Sequence, residues 1–278
     1  MTTFVLLAVL GSALLHALWN SLVKSGVSRM GAMVILSVCE VPIGLTVALF
    51  RDAPTVQVLP WVAASGLAHF FYKFFLTYAY ERGDLSRVYP IARGTAPLAV
   101  ALVSGLFLSD AVTLHEYIGI AVLGLGILLM AQGVFAHGEN RRLIPFALGA
   151  AVATATYTMI DGQGARVSGD AIAYVAWVFI ADGLGFALGM LLWKGPAVLP
   201  RATRPWATGA LAGAASYGAY GISVWAMTLA PIALVAAIRE TSILFAVLIG
   251  WLAFGERMTR GKALAAAVIV AGVFITRL

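Results

Sequence analysis

The chain has 278 residues, of which 62% are hydrophobic and 11% are charged. Soluble domains are about 45–50% apolar and about 25% charged, so this composition excludes an ordinary soluble domain and indicates an integral membrane protein in a lipid bilayer. The net charge of +6 comes from Lys and Arg residues that are spread along the chain and form no patch with aromatic residues, which argues against a nucleic-acid partner.

The apolar residues fall into ten segments joined by short connections. A helix needs about 20 mostly apolar residues to cross a bilayer, and the segments approach that length. The first segment begins without the positive charges of a signal peptide, so we expect it to be a retained helix. We predict spanning helices at residues 4–23, 30–50, 58–80, 88–108, 115–135, 143–160, 171–193, 205–229, 232–254 and 262–277.

The fourth and ninth segments resemble each other. Each contains an Arg followed two residues later by a Thr, which are Arg93 and Thr95 in one and Arg239 and Thr241 in the other. A charge inside an apolar helix is rare, so the match indicates an internal duplication. Because each copy has an odd number of spans, the copies must have opposite orientations. We therefore predict an all-α membrane domain of ten transmembrane helices in two inverted five-helix repeats, residues 1–136 and 143–278, with a linker at 137–142.

Lys and Arg residues are unequally distributed between the two sets of loops. The loops after odd-numbered segments contain Lys24, Arg29, Arg82, Arg87, Arg141, Arg142, Lys194, Arg201, Arg204, Arg257, Arg260 and Lys262, whereas the other side has Arg51, Arg166 and Arg277. Cytoplasmic loops are enriched in these residues. We therefore predict a multi-pass protein of the inner (cytoplasmic) membrane with both termini on the non-cytoplasmic side.

Ionisable side chains also fall well inside the predicted spans. They are Glu40, Lys73, Arg93, Asp182, Arg239 and Glu240. Each costs roughly 2.5–3.5 kcal/mol at a helix centre on an insertion scale, so each should face a partner or a water-filled cavity. Positive and negative charges are equal in number, so the predicted site is not simply basic.

On the first segment, polar residues recur every four positions, from Ser12 through His16 to Asn20, and Trp19 lies beside them. Residues four apart share one face of a helix. We predict that His16, Trp19 and Asn20 line a substrate cavity. The alternative is a packing seam between helices.

The third segment carries His69, Tyr72 and Lys73. His69 and Lys73 share a face of the helix, and Tyr72 is a near neighbour of His69. We interpret the three residues as one wall of a substrate pocket. The alternative is a structural ion pair between Lys73 and Glu40 of the adjacent segment.

Arg93 and Arg239 are the candidates for binding an acidic group of a substrate. The planar guanidinium group suits the geometry of carboxylates and phosphates. The alternative is that an internal acid neutralises each arginine, and Glu240, Asp182 and Glu40 are available for that role.

Glu40 and Asp182 are candidates for proton coupling, because burial favours the neutral form of a carboxyl group and thereby its exchange of protons. Asp161 is a weaker candidate. It begins the run Asp161-Gly162-Gln163-Gly164, and glycines in such a run are typical of a helix end and a turn.

The sequence offers little for a metal, a cofactor or catalysis. Its four His residues lack metal-ligand spacing, Cys39 is its one cysteine, and GxSxG, HExxH and P-loop motifs do not occur. We therefore expect no metal and no cofactor, and we interpret the chain as a non-enzyme whose partners are a small-molecule substrate and the bilayer. Both repeats are on one chain, so a monomer suffices, and a homodimer is also compatible.

Several patterns resemble the EamA-type branch of the drug/metabolite transporter superfamily. They are the ten segments in two halves, the run His16-Ala17-Leu18-Trp19-Asn20, the run Tyr89-Pro90-Ile91-Ala92-Arg93, and Gly255-Glu256 after the ninth segment. The resemblance implies alternating access around a central cavity, in proteins that mostly export amino acids and other small metabolites. By similarity, His69 and Tyr72 lie at cavity positions and Tyr157 lines the opposite wall. The run in the first segment is also similar to that of members associated with phosphonate use.

These features predict a secondary transporter that moves a small polar metabolite across the cytoplasmic membrane by alternating access, in the direction of export. The predicted substrate is an amino-acid-like zwitterion or an organic anion, with phosphonates included. The alternative is proton-coupled efflux of hydrophobic cations, with Glu40 or Asp182 as the essential acid.

Overall fold

A computed structural model describes residues 1–23, 28–80, 93, 95–107, 110–130, 143–255 and 257–278. Within these ranges the chain is helical, with one short 3₁₀ turn at Pro196–Val198. The α-helices are α1 (Thr3–Val23), α2 (Arg29–Ala48), α3 (Leu59–Tyr80), α4 (Ala96–Phe107), α5 (Leu114–Met130), α6 (Leu143–Ser168), α7 (Ala171–Lys194), α8 (Arg204–Leu229), α9 (Ile232–Arg239), α10 (Ser242–Phe254) and α11 (Arg260–Ile275).

Helix ends follow from local sequence. Asp170 begins α7, because its side chain accepts hydrogen bonds of 3.0 Å from the backbone N–H groups of Ile172 and Ala173, which would otherwise lack partners. Gly195 and Gly255 end α7 and α10 with φ angles of 76° and 66°. A residue without a Cβ adopts such angles at little cost.

The sixth segment is longer than predicted. α6 continues to Ser168, so Asp161 lies inside a helix, and the prediction of a helix end and a turn there is wrong. The glycines after Asp161 serve packing instead. A Cβ on Gly162 would lie 2.4 Å from the side chain of Ile232, and one on Gly164 would lie 2.5 Å from the hydroxyl of Tyr174.

The ninth segment is broken into α9 and α10, which divide the apolar stretch Ile232–Leu252. At the break, the N–H groups of Glu240 and Thr241 donate to the carbonyls of Ala237 and Ile238, three residues back rather than four. The Thr241 hydroxyl also donates to Ile238 at 2.7 Å. These bonds tighten the last turn of α9 and end it.

The fourth segment follows the same plan where the structure describes it. α4 begins at Ala96 and α10 at Ser242, and 146 residues separate these two positions, as they separate Arg93 from Arg239. Residues 88–92, 94 and 108 of the predicted fourth span, residues 131–135 of the predicted fifth span and the predicted linker at 137–142 lie outside the described residues.

The packing of the helices has an internal symmetry. Extensive contacts join α1 to α8, α3 to α6, α2 to α7 and α5 to α11. If each helix of the first half is matched to the helix five spans later, the α1–α8 pair becomes the α6–α3 pair. The α2–α7 and α5–α11 pairs each join a helix to its own match.

The matched helices α2 and α7 run antiparallel at close range. A Cβ on Gly44 would lie 2.6 Å from the carbonyl oxygen of Ala176, and a Cβ on Gly183 would lie 2.6 Å from that of Ser37. Going seven residues back in α2, from Gly44 to Ser37, corresponds to going seven residues forward in α7, from Ala176 to Gly183, so the two helices run in opposite directions. Small residues permit such backbone approach between helices in lipid.

The outer surface suits a bilayer. Large apolar side chains such as Leu106, Leu192 and Leu252 are exposed, and among the described residues five helical stretches are long and apolar enough to cross a membrane. Polar side chains are instead buried between the helices, where they form the site described below.

Candidate functional site

Arg93 and its neighbours join the first half of the chain to the second. The Nη1 atom of Arg93 donates to Oε1 of Glu240 at 2.9 Å, and its Nη2 atom makes a short contact with Nε2 of His16. Trp19 Nε1 donates to the other ring nitrogen of His16 at 3.3 Å, and the Asn20 amide donates to the His16 carbonyl at 2.8 Å. We call these residues, together with Arg239, the arginine cluster.

Arg239 occupies a different environment within this cluster. Its Nη2 atom donates to the Tyr157 hydroxyl at 3.3 Å, and its guanidinium carbon lies 5.4 Å from the centre of the Tyr220 ring. Its Nε and Nη1 atoms have no hydrogen-bond partner among the described residues. Arg239 is 4% exposed, so its positive charge is buried without a carboxylate in ion-pair contact in the described part of the chain.

A second cluster, the aspartate cluster, surrounds Asp161. This carboxylate accepts a hydrogen bond of 2.9 Å from the Tyr174 hydroxyl and a short one from the Tyr220 hydroxyl, and it lies 3.1 Å from Nε2 of His69. The His69 ring stacks on Tyr157 with 4.0 Å between centroids. Because Tyr157 also binds Arg239, the two clusters are continuous.

A third cluster, the lysine cluster, lies one helical turn from His69. The Nζ atom of Lys73 is 2.6 Å from Glu40 Oε2 and 2.6 Å from Asp182 Oδ2, and it donates to the Ser37 hydroxyl at 2.8 Å. The three charged groups come from α3, α2 and α7. All three side chains are about 5% exposed or less.

The structure therefore sorts the predicted site residues into groups. His16, Trp19, Asn20 and Arg93 lie together. His69, Tyr72 and Tyr157 form an aromatic group beside Arg239, in which Tyr72 makes an edge contact with Tyr157 at 5.5 Å between centroids. Lys73 lies apart from the arginines and contacts both acids that were proposed for proton coupling. The ion pair of Lys73 with Glu40 is the alternative that the sequence left open.

Sequence reasoning missed Tyr174 and Tyr220 as members of the buried polar core, and it ranked Asp161 low because it interpreted this residue as part of a helix end. One signal was available for Asp161, because it follows Tyr157 by four residues and so shares its helix face. The buried charged residues of the described ranges are three cations, Lys73, Arg93 and Arg239, and five acids, Glu40, Glu116, Asp161, Asp182 and Glu240. Glu116 belongs to the start of α5, where it binds Thr113, and the other four acids lie in the three clusters. The equal balance expected from sequence becomes an acidic excess.

A further polar network lies at one end of the helix bundle, around Arg166. Arg166 binds both carboxylate oxygens of Asp110, at 2.6 and 3.1 Å, and donates to the Met227 and Ala230 carbonyls. Next to it is a cavity of about 570 Å³. Its lining residues are Arg51, Ala165, Arg166, Gly169, Asp170, Ala171, Ile172, Trp225 and Thr228.

Apolar helices that enclose a continuous band of ionisable side chains define a multi-pass membrane protein of the transporter class, since charges this deep in a bilayer mark pathways for polar solutes. A model of the EamA-like transporter family matches residues 3–132 and 141–278. The chain therefore belongs to the EamA-like transporter family, within the drug/metabolite transporter superfamily, and contains two copies of its repeat.

Comparison with solved structures supports the same fold. The superposition on one crystal structure covers 100% of this chain and 99% of the chain in that structure, with a TM-score of 0.79 and 19% sequence identity. At that identity the likeness concerns the fold alone. Comparison with curated proteins gave no match.

Proposed function

We propose that this protein is a secondary transporter that moves a small metabolite with an acidic group, an amino-acid-like zwitterion or an organic anion such as a phosphonate, across the cytoplasmic membrane. In this proposal ten spans form two inverted repeats, the substrate binds between them, and alternating access drives export. The antiparallel packing of the matched helices α2 and α7 supports the inverted arrangement.

The observation that carries the substrate class is the state of Arg239. A buried guanidinium group with two nitrogen atoms unpartnered in the described part of the chain is suited to a carboxylate or phosphonate. Arg93 is less available, because Glu240 already binds it. In this proposal, the acidic group of the substrate therefore binds Arg239.

A second observation favours a zwitterion over a simple anion. The Oε2 atom of Glu240 is buried and has no hydrogen-bond partner among the described residues, and its charge is near enough to interact with that of Arg239. A carboxylate oxygen beside a guanidinium group can receive a substrate ammonium while the arginine receives the acid. Trp19, Tyr72 and Tyr157 provide the aromatic walls.

The test combines ligand stabilisation with transport. The purified natural protein is screened by thermal unfolding against the standard L-amino acids, organic acids, 2-aminoethylphosphonate and lipophilic cations, because a compound that binds the folded state raises its apparent stability. We expect acids or zwitterions to stabilise it and to be carried in proteoliposomes. Arg239→Ala should remove both effects, with at least a tenfold loss of flux.

Arg204→Ala is the matched control, because Arg204 is exposed at the first residue of α8 and should leave stabilisation and flux unchanged. Full flux in Arg239→Ala would contradict the proposed role. Stabilisation by lipophilic cations alone would favour the drug-efflux alternative. That alternative is weakened by the lysine cluster, where Lys73 already binds both Glu40 and Asp182.

A further inference from the structure

The lysine cluster holds one negative charge more than it can neutralise. Glu40 and Asp182 both contact the single ammonium group of Lys73 at 2.6 Å. Two buried carboxylates that share a site cannot both ionise without a large electrostatic cost, and a single cation offsets only one of them. One bound proton would make the cluster neutral.

Among the described residues, the surrounding helices supply no second cation in direct contact with the two acids. α3 contributes Lys73 and His69, and His69 is occupied by Asp161 of α6. α2 adds the neutral Ser37 and Cys39 beside Glu40. α8, which packs against both α2 and α7, has Arg204 as its one charged residue, exposed at its first position.

A polar atom in this cluster also lacks a partner. Oδ1 of Asp182 is buried and makes no hydrogen bond to any described residue, while Oδ2 contacts Lys73. A buried carboxylate oxygen without a hydrogen-bond partner carries a desolvation cost that protonation reduces. Asp182 therefore has an oxygen atom open to a proton while it keeps its contact with the lysine.

The position of the two acids connects them to the transport cycle. Glu40 is on α2 and Asp182 is on α7, the matched antiparallel helices from the two halves of the chain. Relative movement of the halves changes the distances from the Lys73 ammonium group to the two carboxylates. Proton affinity at this site is thereby linked to conformation, and a ligand or proton that prefers one conformation shifts the equilibrium toward it.

We propose that Glu40 and Asp182 form a binding site for one exchangeable proton, shared across the two repeats, while Lys73 stays charged. One carboxylate takes up H⁺ to become a carboxylic acid and later releases the same H⁺, so no other bond changes. We assign that proton as the coupling ion of transport, and this assignment rests on the transporter function proposed above.

Infrared difference spectroscopy of the reconstituted protein tests the proton site without any substrate. The natural protein should show the carbonyl band of one buried carboxylic acid, which disappears at high pH. Glu40→Gln and Asp182→Asn each leave Lys73 with one acid, so both variants should fold. Each also removes the surplus charge, so the band should be lost in either single variant.

Asp170→Asn is the control, because Asp170 forms a more exposed ion pair with Arg51 and its loss should leave the band unchanged. A band that survives in both cluster variants belongs to another acid, such as Asp161, and overturns the proposal. The absence of any titrating carboxylic-acid band from the natural protein does the same.

Coupling is measured separately in proteoliposomes that contain a trapped pH-indicator dye. Addition of a mixture of the standard L-amino acids and 2-aminoethylphosphonate should change the internal pH with the natural protein and not with Glu40→Gln or Asp182→Asn. Flux of a labelled compound without proton movement would overturn coupling. Absence of any flux, with the infrared band intact, would instead contradict the proposed function and leave the proton site standing.

Discussion

At the scale of single residues, the carboxylate of Glu240 lies beside Arg239 in the chain but binds Arg93 in space, at 2.9 Å. Arg93 is therefore paired with an acid, whereas Arg239 has no carboxylate in ion-pair contact among the described residues. Two arginines that are equivalent in the repeated sequence have different surroundings, which is why the proposed function assigns the substrate to Arg239. The ion pair between Arg93 and Glu240 also connects the first half of the chain to the break between α9 and α10.

The first prediction concerns that ion pair. Arg93→Met should destabilise the folded protein by about 3–5 kcal/mol, because it leaves the Glu240 carboxylate buried without its cation. Adding Glu240→Gln should recover part of this loss, because the remaining amide carries no charge. Thermal unfolding of the natural protein, both single variants and the double variant measures the coupling, which we expect to be about 0.5–3 kcal/mol. Strictly additive effects would contradict the pairing.

Sequence could predict which residue types are buried but not how they pair. The cost of a charge in lipid identifies Arg93, Arg239 and Lys73 as functional or paired from the chain alone. The choice of partner depends on distances across helices that are far apart in sequence. Asp161 shows the limit, because its neighbouring glycines are typical of a turn, yet here they admit Ile232 and Tyr174 against a continuous helix.

At the scale of helices, α2 and α7 meet with backbone atoms almost in contact. The approach requires glycine at specific positions and not at others on the same helix. A Cβ on Gly183 would lie 2.6 Å from the Ser37 carbonyl oxygen, whereas a Cβ on Gly185 would meet nothing within 4 Å. The sequence shows two glycines two residues apart and cannot tell which of them makes the contact, because that depends on how α2 lies against α7.

The second prediction uses this difference as a matched pair. Gly183→Ala should destabilise the protein by about 1–3 kcal/mol, because the extra methyl group forces α2 and α7 apart. Gly185→Ala should be neutral or stabilising by up to about 1 kcal/mol, since alanine favours the helix and meets open space. Thermal unfolding in one detergent gives both values. Equal effects at the two positions would contradict the antiparallel contact described here.

The broken ninth span is the other feature of this scale that a hydropathy pattern could not predict. The apolar run continues through residues 232–252, so hydrophobicity alone indicates one helix. The break depends on hydrogen bonds at Glu240 and Thr241 that are local to the backbone. Interrupted helices of this kind are used for binding sites at the middle of secondary transporters, and here the break lies between Arg239 and Ser242.

At the scale of the whole molecule, several loops and both termini are joined by polar contacts. Arg51 binds Asp170, Arg166 binds Asp110, and Arg277 contacts the backbone of Met1. Arg166 also binds the Ala230 carbonyl in the connection after α8, and Phe4 near the N-terminus contacts Trp225 near the end of α8. These contacts bring the termini and the connections after α2, α4, α6 and α8 together at one end of the bundle. That end has few Lys and Arg residues in the sequence, so charge asymmetry and structure divide the loops in the same way.

The last prediction tests which end faces the cytoplasm. The natural protein has one cysteine, the buried Cys39, so it serves as the unlabelled background. Ala53→Cys places a thiol in the exposed loop after α2, and Ala202→Cys places one in the exposed connection before α8. If cytoplasmic loops hold the excess of Lys and Arg, a membrane-impermeant maleimide should label residue 53 in intact cells and residue 202 only after permeabilisation. The reverse pattern would place both termini in the cytoplasm, and labelling of both positions in intact cells would show that the chain inserts in two orientations.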